Sequence, residues 1–234
     1  MSQKKVRDEE GVFVAEGPKI INELLGEPGV SPVAVYALPA WISANQALAG
    51  RLPEGALSEV TTFELERISF LTTPNEVLAI FRKPVFNNSV DADKSLVLML
   101  DNIQDPGNLG TIIRCADWFG LRKIVCNPGS ADCFSPKVVQ STMASIMRVE
   151  LIYTDLVEYA QKYSVPVYAA ALEGKPFTGT KPRNGILVIG NESRGISEEM
   201  MQLATNKIMI PRVGKAESLN AAVATGILLS QLTL

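Results

Sequence analysis

Hydrophobic and polar positions alternate in blocks along this chain, and the period within each block predicts an element. Residues 95–100 are a continuous apolar run, as a strand buried on both faces of a parallel sheet must be. Over residues 109–119 the period changes. Leu109, Ile112, Ile113 and Ala116 recur at i, i+3, i+4 and i+7, which puts them on one face of a helix. The same logic predicts strands at 123–126, 165–170, 185–189 and 207–210, and helices at 136–147, 156–162 and 198–204. Residues 218–232 close the chain as a helix that is apolar nearly all round, so it belongs in a core or an interface. Strands alternating with helices in this order give an α/β fold, a parallel sheet with helices on both faces.

The first part of the chain carries a weaker form of the same alternation. A helix over 19–25 is stopped by Gly26, and a short strand follows at 33–36. Pro39 opens a helix running toward Leu48, and a strand is predicted at 58–61. Thr62 caps a helix through Leu71, and a third strand spans 76–81. These elements make a small α/β sandwich. Residues 86–94 are polar and rich in turn formers, which sets a boundary between domains 1–90 and 91–234. The apolar stretch at 221–229 is far too short to span a bilayer. The first ten residues are polar and lack the apolar core of a signal peptide. The expectation is a soluble, cytoplasmic protein with no membrane partner.

Composition removes whole classes of chemistry. The 234 residues contain no histidine, which excludes Ser-His-Asp and Cys-His nucleophiles, His-ligated zinc and HExxH proteases. Cys115, Cys126 and Cys133 form no CxxC, so they read as buried thiols in a reducing compartment, with no metal implied. A 47% hydrophobic and 20% charged composition is globular. The net charge of −3 does not advertise a nucleic-acid binder.

Three clusters carry candidate chemistry, each at the carboxyl end of a predicted strand. The first runs from Asp101 to Arg114. Pro106 and Gly107 suit a type II turn and Asn108 then falls at a helix N-cap. A capped strand-to-helix turn explains Asp105 to Asn108 but leaves Arg114, off the apolar face, without a structural reason. The second runs from Val188 to Ser197. Gly190 and Gly195 have the spacing of a phosphate loop, but Ile196 stands where that loop needs lysine. Glu192 between the glycines is a possible acceptor for a ligand, or a solvated turn residue. The third runs from Ile208 to Asn220. Ser218 reads as the N-cap of the last helix, and Asn220 then sits in its first turn, where free N–H groups can join it in binding a ligand. Ligands of open parallel sheets bind beyond the carboxyl ends of the strands, where all three clusters would meet.

In this order and spacing the clusters resemble the SpoU/TrmH branch of the SPOUT RNA methyltransferases. Asn108-Leu109-Gly110 with Arg114 matches the family's first motif. Gly190 to Gly195 matches the second, and Ile210-Pro211 with Ser218-Leu219-Asn220 the third. The stretch from Lys5 to Gly17 resembles the opening of the ribosomal-protein L30e-like domain that many members carry. The resemblance implies a deep trefoil knot in residues 91–234 and an RNA substrate-binding domain in 1–90. It implies a homodimer and S-adenosyl-L-methionine as cofactor, held by backbone near Gly190, Asn191, Ile210 and Leu219. It implies methyl transfer to a ribose 2′-OH, with 23S ribosomal RNA favoured by the appended N-terminal domain. Arg114 would be the central catalytic residue, either as base or as a charged partner of a phosphate or developing alkoxide. Because arginine stays charged, the second role is physically easier. Asn108 and Asn220 would orient the ribose or Arg114, with Glu192 and Ser218 supporting the site.

Other readings are a tRNA 2′-O-methyltransferase, a non-catalytic RNA-binding member of the fold, and a nucleotide-binding α/β protein using the Gly190–Gly195 turn. The charge pattern bears on all of them. Residues 1–90 hold 8 Lys+Arg against 11 Asp+Glu, and residues 91–234 hold 14 of each. The whole acidic excess therefore lies in the substrate domain. RNA contacts would fall to Lys4, Lys5, Arg7, Arg82, Lys83, Arg114, Arg194, Arg212 and Lys215, with modest salt dependence.

Overall fold

The structure is a computed structural model that describes residues 3–86, 91–178 and 181–234. The chain divides into two compact units. One comprises Met1–Val85 and Asp132–Met147, the other Phe86–Ala131 and Arg148–Leu234. Residues 87–90 of the polar break lie outside the described residues. Residues 132–147 interrupt the sequence-based division, because they group with the first unit.

In the first unit the elements are α1 (Lys4–Glu10), β1 (Val12–Glu16), α2 (Pro18–Gly26), β2 (Pro32–Ala37), α3 (Pro39–Ala44), α4 (Gln46–Ala49), β3 (Leu57–Glu59), α5 (Thr62–Ile68) and β4 (Val77–Arg82). The sheet order is β1-β4-β2-β3, with β4 antiparallel to both neighbours and β3 parallel to β2. α1 and β1 are additions to the sequence reading. All five β1 residues are buried, so no alternation marks the strand. The helix expected from Pro39 to Leu48 is two short helices that break at Asn45. Its side chain accepts from Asn22 and donates to the Trp41 carbonyl, both at 2.9 Å. The cap of α5 is Thr61, one residue earlier than expected. Glu64 N–H donates to Thr61 Oγ1 while Thr61 N–H donates back to the Glu64 carboxylate at 2.8 Å, a capping box. α5 ends at Ile68 rather than Leu71 because Ser69 Oγ and Phe70 N–H both donate to buried Glu16, at 2.6 and 2.8 Å.

The second part of the chain adds β5 (Leu96–Asp101), α6 (Pro106–Trp118), β6 (Lys123–Cys126), α7 (Pro136–Thr142), a 3-10 turn (Ser145–Met147), β7 (Glu150–Tyr153), α8 (Leu156–Gln161), β8 (Val167–Pro176), β9 (Gly185–Gly190), α9 (Glu198–Leu203), β10 (Asn206–Met209) and α10 (Ala221–Thr233). The expected helix 136–147 stops at Thr142, where Met143 takes φ 51°. With the 3-10 turn it belongs to the first unit. There Phe134 packs on Phe13 at 5.5 Å, and Arg7 donates to Asp132 at 2.6 Å. β7 was not expected, since its four residues are only half-buried at a sheet edge.

Six strands of the second unit form one sheet in the order β10-β8-β9-β5-β6-β7, every pairing parallel. Parallel strands aim all their carboxyl ends at one edge, which is why distant loops converge there. Leu109, Ile112, Ile113 and Ala116 are fully buried, as the helical period requires. α10 packs on α6 and buries Ala221, Ala222, Thr225, Leu228, Leu229 and Leu232, while Val223 remains half exposed. β8 runs to Pro176, well beyond residue 170, and pairs with β10 across a register shift at Lys207/Ile208. A Cβ at Gly174 would lie 2.7 Å from the Ile208 carbonyl carbon, so only glycine permits that approach.

Candidate functional site

The site grows from three strand ends. β5 ends at Asp101, β9 at Gly190 and β10 at Met209, and each is followed by one of the three clusters. α6 begins at Pro106, earlier than the expected type II turn allowed. Its cap is Asp105, whose carboxylate accepts from Asn108 N–H at 2.8 Å, with Pro106 in the first turn. Asn108 is therefore a first-turn residue, and its side chain is released from capping. At α10 the correction runs the other way. The cap is Asn220, whose Oδ1 accepts from Ala222 and Val223 N–H at 3.0 and 3.3 Å. Ser218 lies in the exposed loop before it.

These shifts build a relay. With Asn220 Oδ1 occupied by helix N–H groups, Asn220 Nδ2 faces Asn108 and donates to its Oδ1 at 2.8 Å. Asn108 Nδ2 then points to Glu192 and donates to Oε1. Each carboxamide has only one orientation that satisfies its neighbours. One residue from each cluster is thus joined in a single chain of hydrogen bonds.

The Gly190–Gly195 turn is held rigidly enough to present Glu192. Asn191 and Gly195 exchange two backbone hydrogen bonds at 2.9 Å. Asn191 Oδ1 accepts from Ser193 and Arg194 N–H, and Asn191 Nδ2 donates to the Asn102 carbonyl at 2.8 Å. A Cβ at Gly190 would meet the Gly195 carbonyl carbon at 2.2 Å, and Gly195 sits at φ 70°. Both glycines are therefore demanded by geometry.

The sequence reading passed over the groups beneath this turn. Asp101 is buried, and its Oδ2 accepts from Ser197 N–H at 2.8 Å and Ser197 Oγ at 2.6 Å. Asn102, at φ 65°, donates its N–H to Asn127 Oδ1, which also accepts from Ser130 Oγ. The loop is clamped at both ends to the end of β5. A polar pair closing an apolar strand run was the available signal.

Arg114 is exposed on α6 and makes no hydrogen bond or ion pair among the described residues, so its guanidinium is open to a ligand. Its charge favours the thiolate of neighbouring Cys115, but burial outweighs it and pushes the thiol up. Among the described residues no hydrogen bond joins Arg114, Ser218, Ile210 or Leu219 to the relay. Ile210 is half-buried, and residues 211–220 are exposed. Among the described residues, 211–219 donate no backbone hydrogen bond to other backbone, and Leu219 and Val213 present apolar surface. Within this loop the Ala216 carbonyl accepts from Arg212 Nη1 at 3.1 Å, and its N–H groups, unused by other backbone, lie beside apolar side chains, which suits a ligand that has an aromatic base and polar edges. Among the described residues no cluster of His, Cys, Asp or Glu could hold a metal.

Residues 95–230 match the SpoU rRNA Methylase family, and residues 1–79 match the MRM3-like substrate binding domain. The chain is 32% identical over 237 residues to the 23S rRNA (guanosine(2553)-2'-O)-methyltransferase RlmP of Bacillus subtilis (strain 168), covering 98% of this chain and 91% of that one. It is 29% identical to the mitochondrial rRNA methyltransferase 3A of Danio rerio, across 95% of this chain and 64% of the relative. The AdoMet-bound rRNA methyltransferase from Sinorhizobium meliloti superposes with a TM-score of 0.80 at 31% identity, covering 99% and 90% of the two chains.

Proposed function

The chain belongs to the SpoU rRNA methylase family, and from that premise we propose that it methylates a ribose 2′-OH of RNA, with 23S ribosomal RNA as substrate. The observation that carries this reading is the relay from Glu192 through Asn108 to Asn220, which joins all three motifs at one edge of a parallel sheet. S-adenosyl-L-methionine supplies an electrophilic methyl group on a sulfonium. Gly190, Asn191, Ile210 and Leu219 would hold it, chiefly through backbone, and the N–H groups of 211–219, unused by other backbone beside Leu219, fit such a cofactor.

The chain's own task is to place a weakly acidic hydroxyl in line and to stabilise the alkoxide it becomes as its proton passes to solvent water. Orientation alone supplies on the order of 7–11 kcal/mol for well-placed reactants. Arg114, charged and without a partner among the described residues, binds the target phosphate or the developing alkoxide. Asn108 and Asn220, fixed by their mutual bond, orient the ribose. Glu192 locks the relay, and Ser218 supports the loop that carries Asn220.

We also assign residues 1–90 to RNA binding and 91–234 to methyl transfer, with a trefoil knot in the latter. Exposed Trp118, Val213, Leu219 and Val223 support a homodimer, and a ribosomal substrate supports a cytoplasmic location. The decisive experiment is methylation of total RNA with labelled cofactor, followed by mapping of the 2′-O-methyl site. Label in 23S RNA is expected. Label in tRNA, or none, overturns the substrate or the activity. Arg114→Ala should abolish transfer while calorimetry still registers normal cofactor binding. Full activity in that variant would remove Arg114 from the mechanism.

A further inference from the structure

The first unit poses a problem for RNA binding, since it is acidic and two of its cations are already engaged. Arg7 is buried against Asp132 at 2.6 Å. Lys83 pairs with Asp8 at 2.5 Å and lies over the Phe134 ring at 4.9 Å. Phosphate neutralisation, the usual source of affinity, is therefore poorly provided here.

The same unit offers a different chemistry at one end of its sheet. A cleft of ≈ 490 Å³ opens where β1 and β2 end and β4 begins, lined by Pro18, Thr62, Leu65, Glu66, Asn75 and Glu76 among others. Its polar lining is rich in acceptors. The loop that borders it is pinned, because buried Glu16 accepts from Ser69 and Phe70, and Gly17 N–H donates to the Val77 carbonyl at 2.8 Å. Gly17, at φ 98°, also leaves the space that Asn75 fills, since a Cβ there would lie 3.1 Å from Asn75 Nδ2.

Thr62 and Glu66 line the cleft one turn apart on α5, and the next residue after each is Phe63 and Arg67. Phe63 is 68% exposed, and the Arg67 guanidinium lies 5.9 Å from its ring centroid. An exposed phenylalanine in the first turn of a capped surface helix gains little from folding. A ring flanked by a guanidinium is a surface on which a nucleobase stacks. The carboxylates of Glu66 and Glu76, which line the cleft, repel phosphate but accept hydrogen bonds from exocyclic amino groups.

We propose that this end of the first unit binds an unpaired segment of the RNA substrate base-first, with a nucleobase stacked on Phe63 beside Arg67 and amino edges turned to the acceptors of the adjoining cleft. The proposal rests on the reading of RNA as substrate and explains how an acidic domain can bind it. It assigns affinity to stacking and edge recognition, which need no net positive charge.

The test uses the full chain, deproteinised 23S rRNA, and single-stranded oligonucleotides of about 12 nucleotides. Phe63→Ala should weaken RNA binding about tenfold, leave the salt slope and the unfolding midpoint unchanged, and leave cofactor binding intact. Phe63→Trp should keep affinity, and its added fluorescence, taken as the difference from the wild type, should be quenched by RNA. Oligo(C), which carries an exocyclic amine, should bind tighter than oligo(U). Wild-type affinity in Phe63→Ala, an unquenched Phe63→Trp, or equal binding of the two oligonucleotides overturns the proposal. Methyl transfer by the wild type is scored separately, so a failed stacking surface leaves the methyltransferase reading standing. Absent methyl transfer sinks that reading while the fluorescence still decides the surface.

Discussion

Asn108 shows how much one carboxamide can carry. It accepts from Asn220 and donates to Glu192, so it must be neutral and must have both a donor and an acceptor. Asn108→Asp sets a second carboxylate against Glu192. Two such groups in contact cannot both ionise cheaply, so one pKa rises above its unfolded value. A raised carboxyl pKa penalises the folded state progressively as pH climbs from the unfolded to the folded value, fully above the latter and not below the former. The variant should lose about 1 kcal/mol or less at pH 8 and less still at pH 5, measured by chemical denaturation. Equal losses at both pH values would mean the relay is not formed. Cys115 makes a second residue-scale case. Burial pushes its thiol up despite Arg114 beside it, and Cys126 and Cys133 are buried. All three should react slowly with a thiol reagent at pH 8 in the folded protein and fast once unfolded.

The elements that position the site depend on turns that tolerate no side chain or no other cap. Gly190→Ala would drive a methyl to 2.2 Å from the Gly195 carbonyl carbon. The expected cost is about 3 kcal/mol or more, with loss of cofactor binding by calorimetry. A variant that binds cofactor normally would show that the turn can open. The apolar face of α6 was legible because helical period is local. Its cap was not. Asp105 and Asn108 are both good caps, as are Ser218 and Asn220 at α10, and local preference does not choose between them. The choice falls to the position at which each helix meets the relay. Asn220 must cap α10 for its Nδ2 to reach Asn108, and Asp105 must cap α6 for the Asn108 side chain to be free.

At the scale of the whole molecule, residues 132–147 are the segment whose place no local pattern foretold. They leave the parallel-sheet unit in sequence and join the first unit through Asp132 and Phe134. The Arg7 side chain is only 3% exposed, so Asp132→Ala strips a buried charge of a close partner. A loss of about 3 kcal/mol is expected in denaturant titration, and a loss near zero would show the pair to be dispensable. The pairing with Asp132 removes Arg7 from the cations expected to meet RNA, and that with Asp8 engages Lys83. The slope of log K against log salt should then be shallow, and a slope steeper than about −5 would restore phosphate contact as the main term.

By itself the sequence determined the strands and helices of the second unit other than β7, the buried face of α6, the absence of imidazole chemistry and the three clusters with their family. All of these rest on period, composition or spacing, which are properties of neighbours along the chain. Tertiary structure alone decided which residue caps each helix, that Asp101 and Asn102 clamp the Gly190–Gly195 turn, and that Arg7 is buried. It also decided that Asn108, Glu192 and Asn220 touch. The physical reason is that a hydrogen bond between residues 84 or 112 positions apart is set by where parallel strands end in space, and no local propensity encodes that distance.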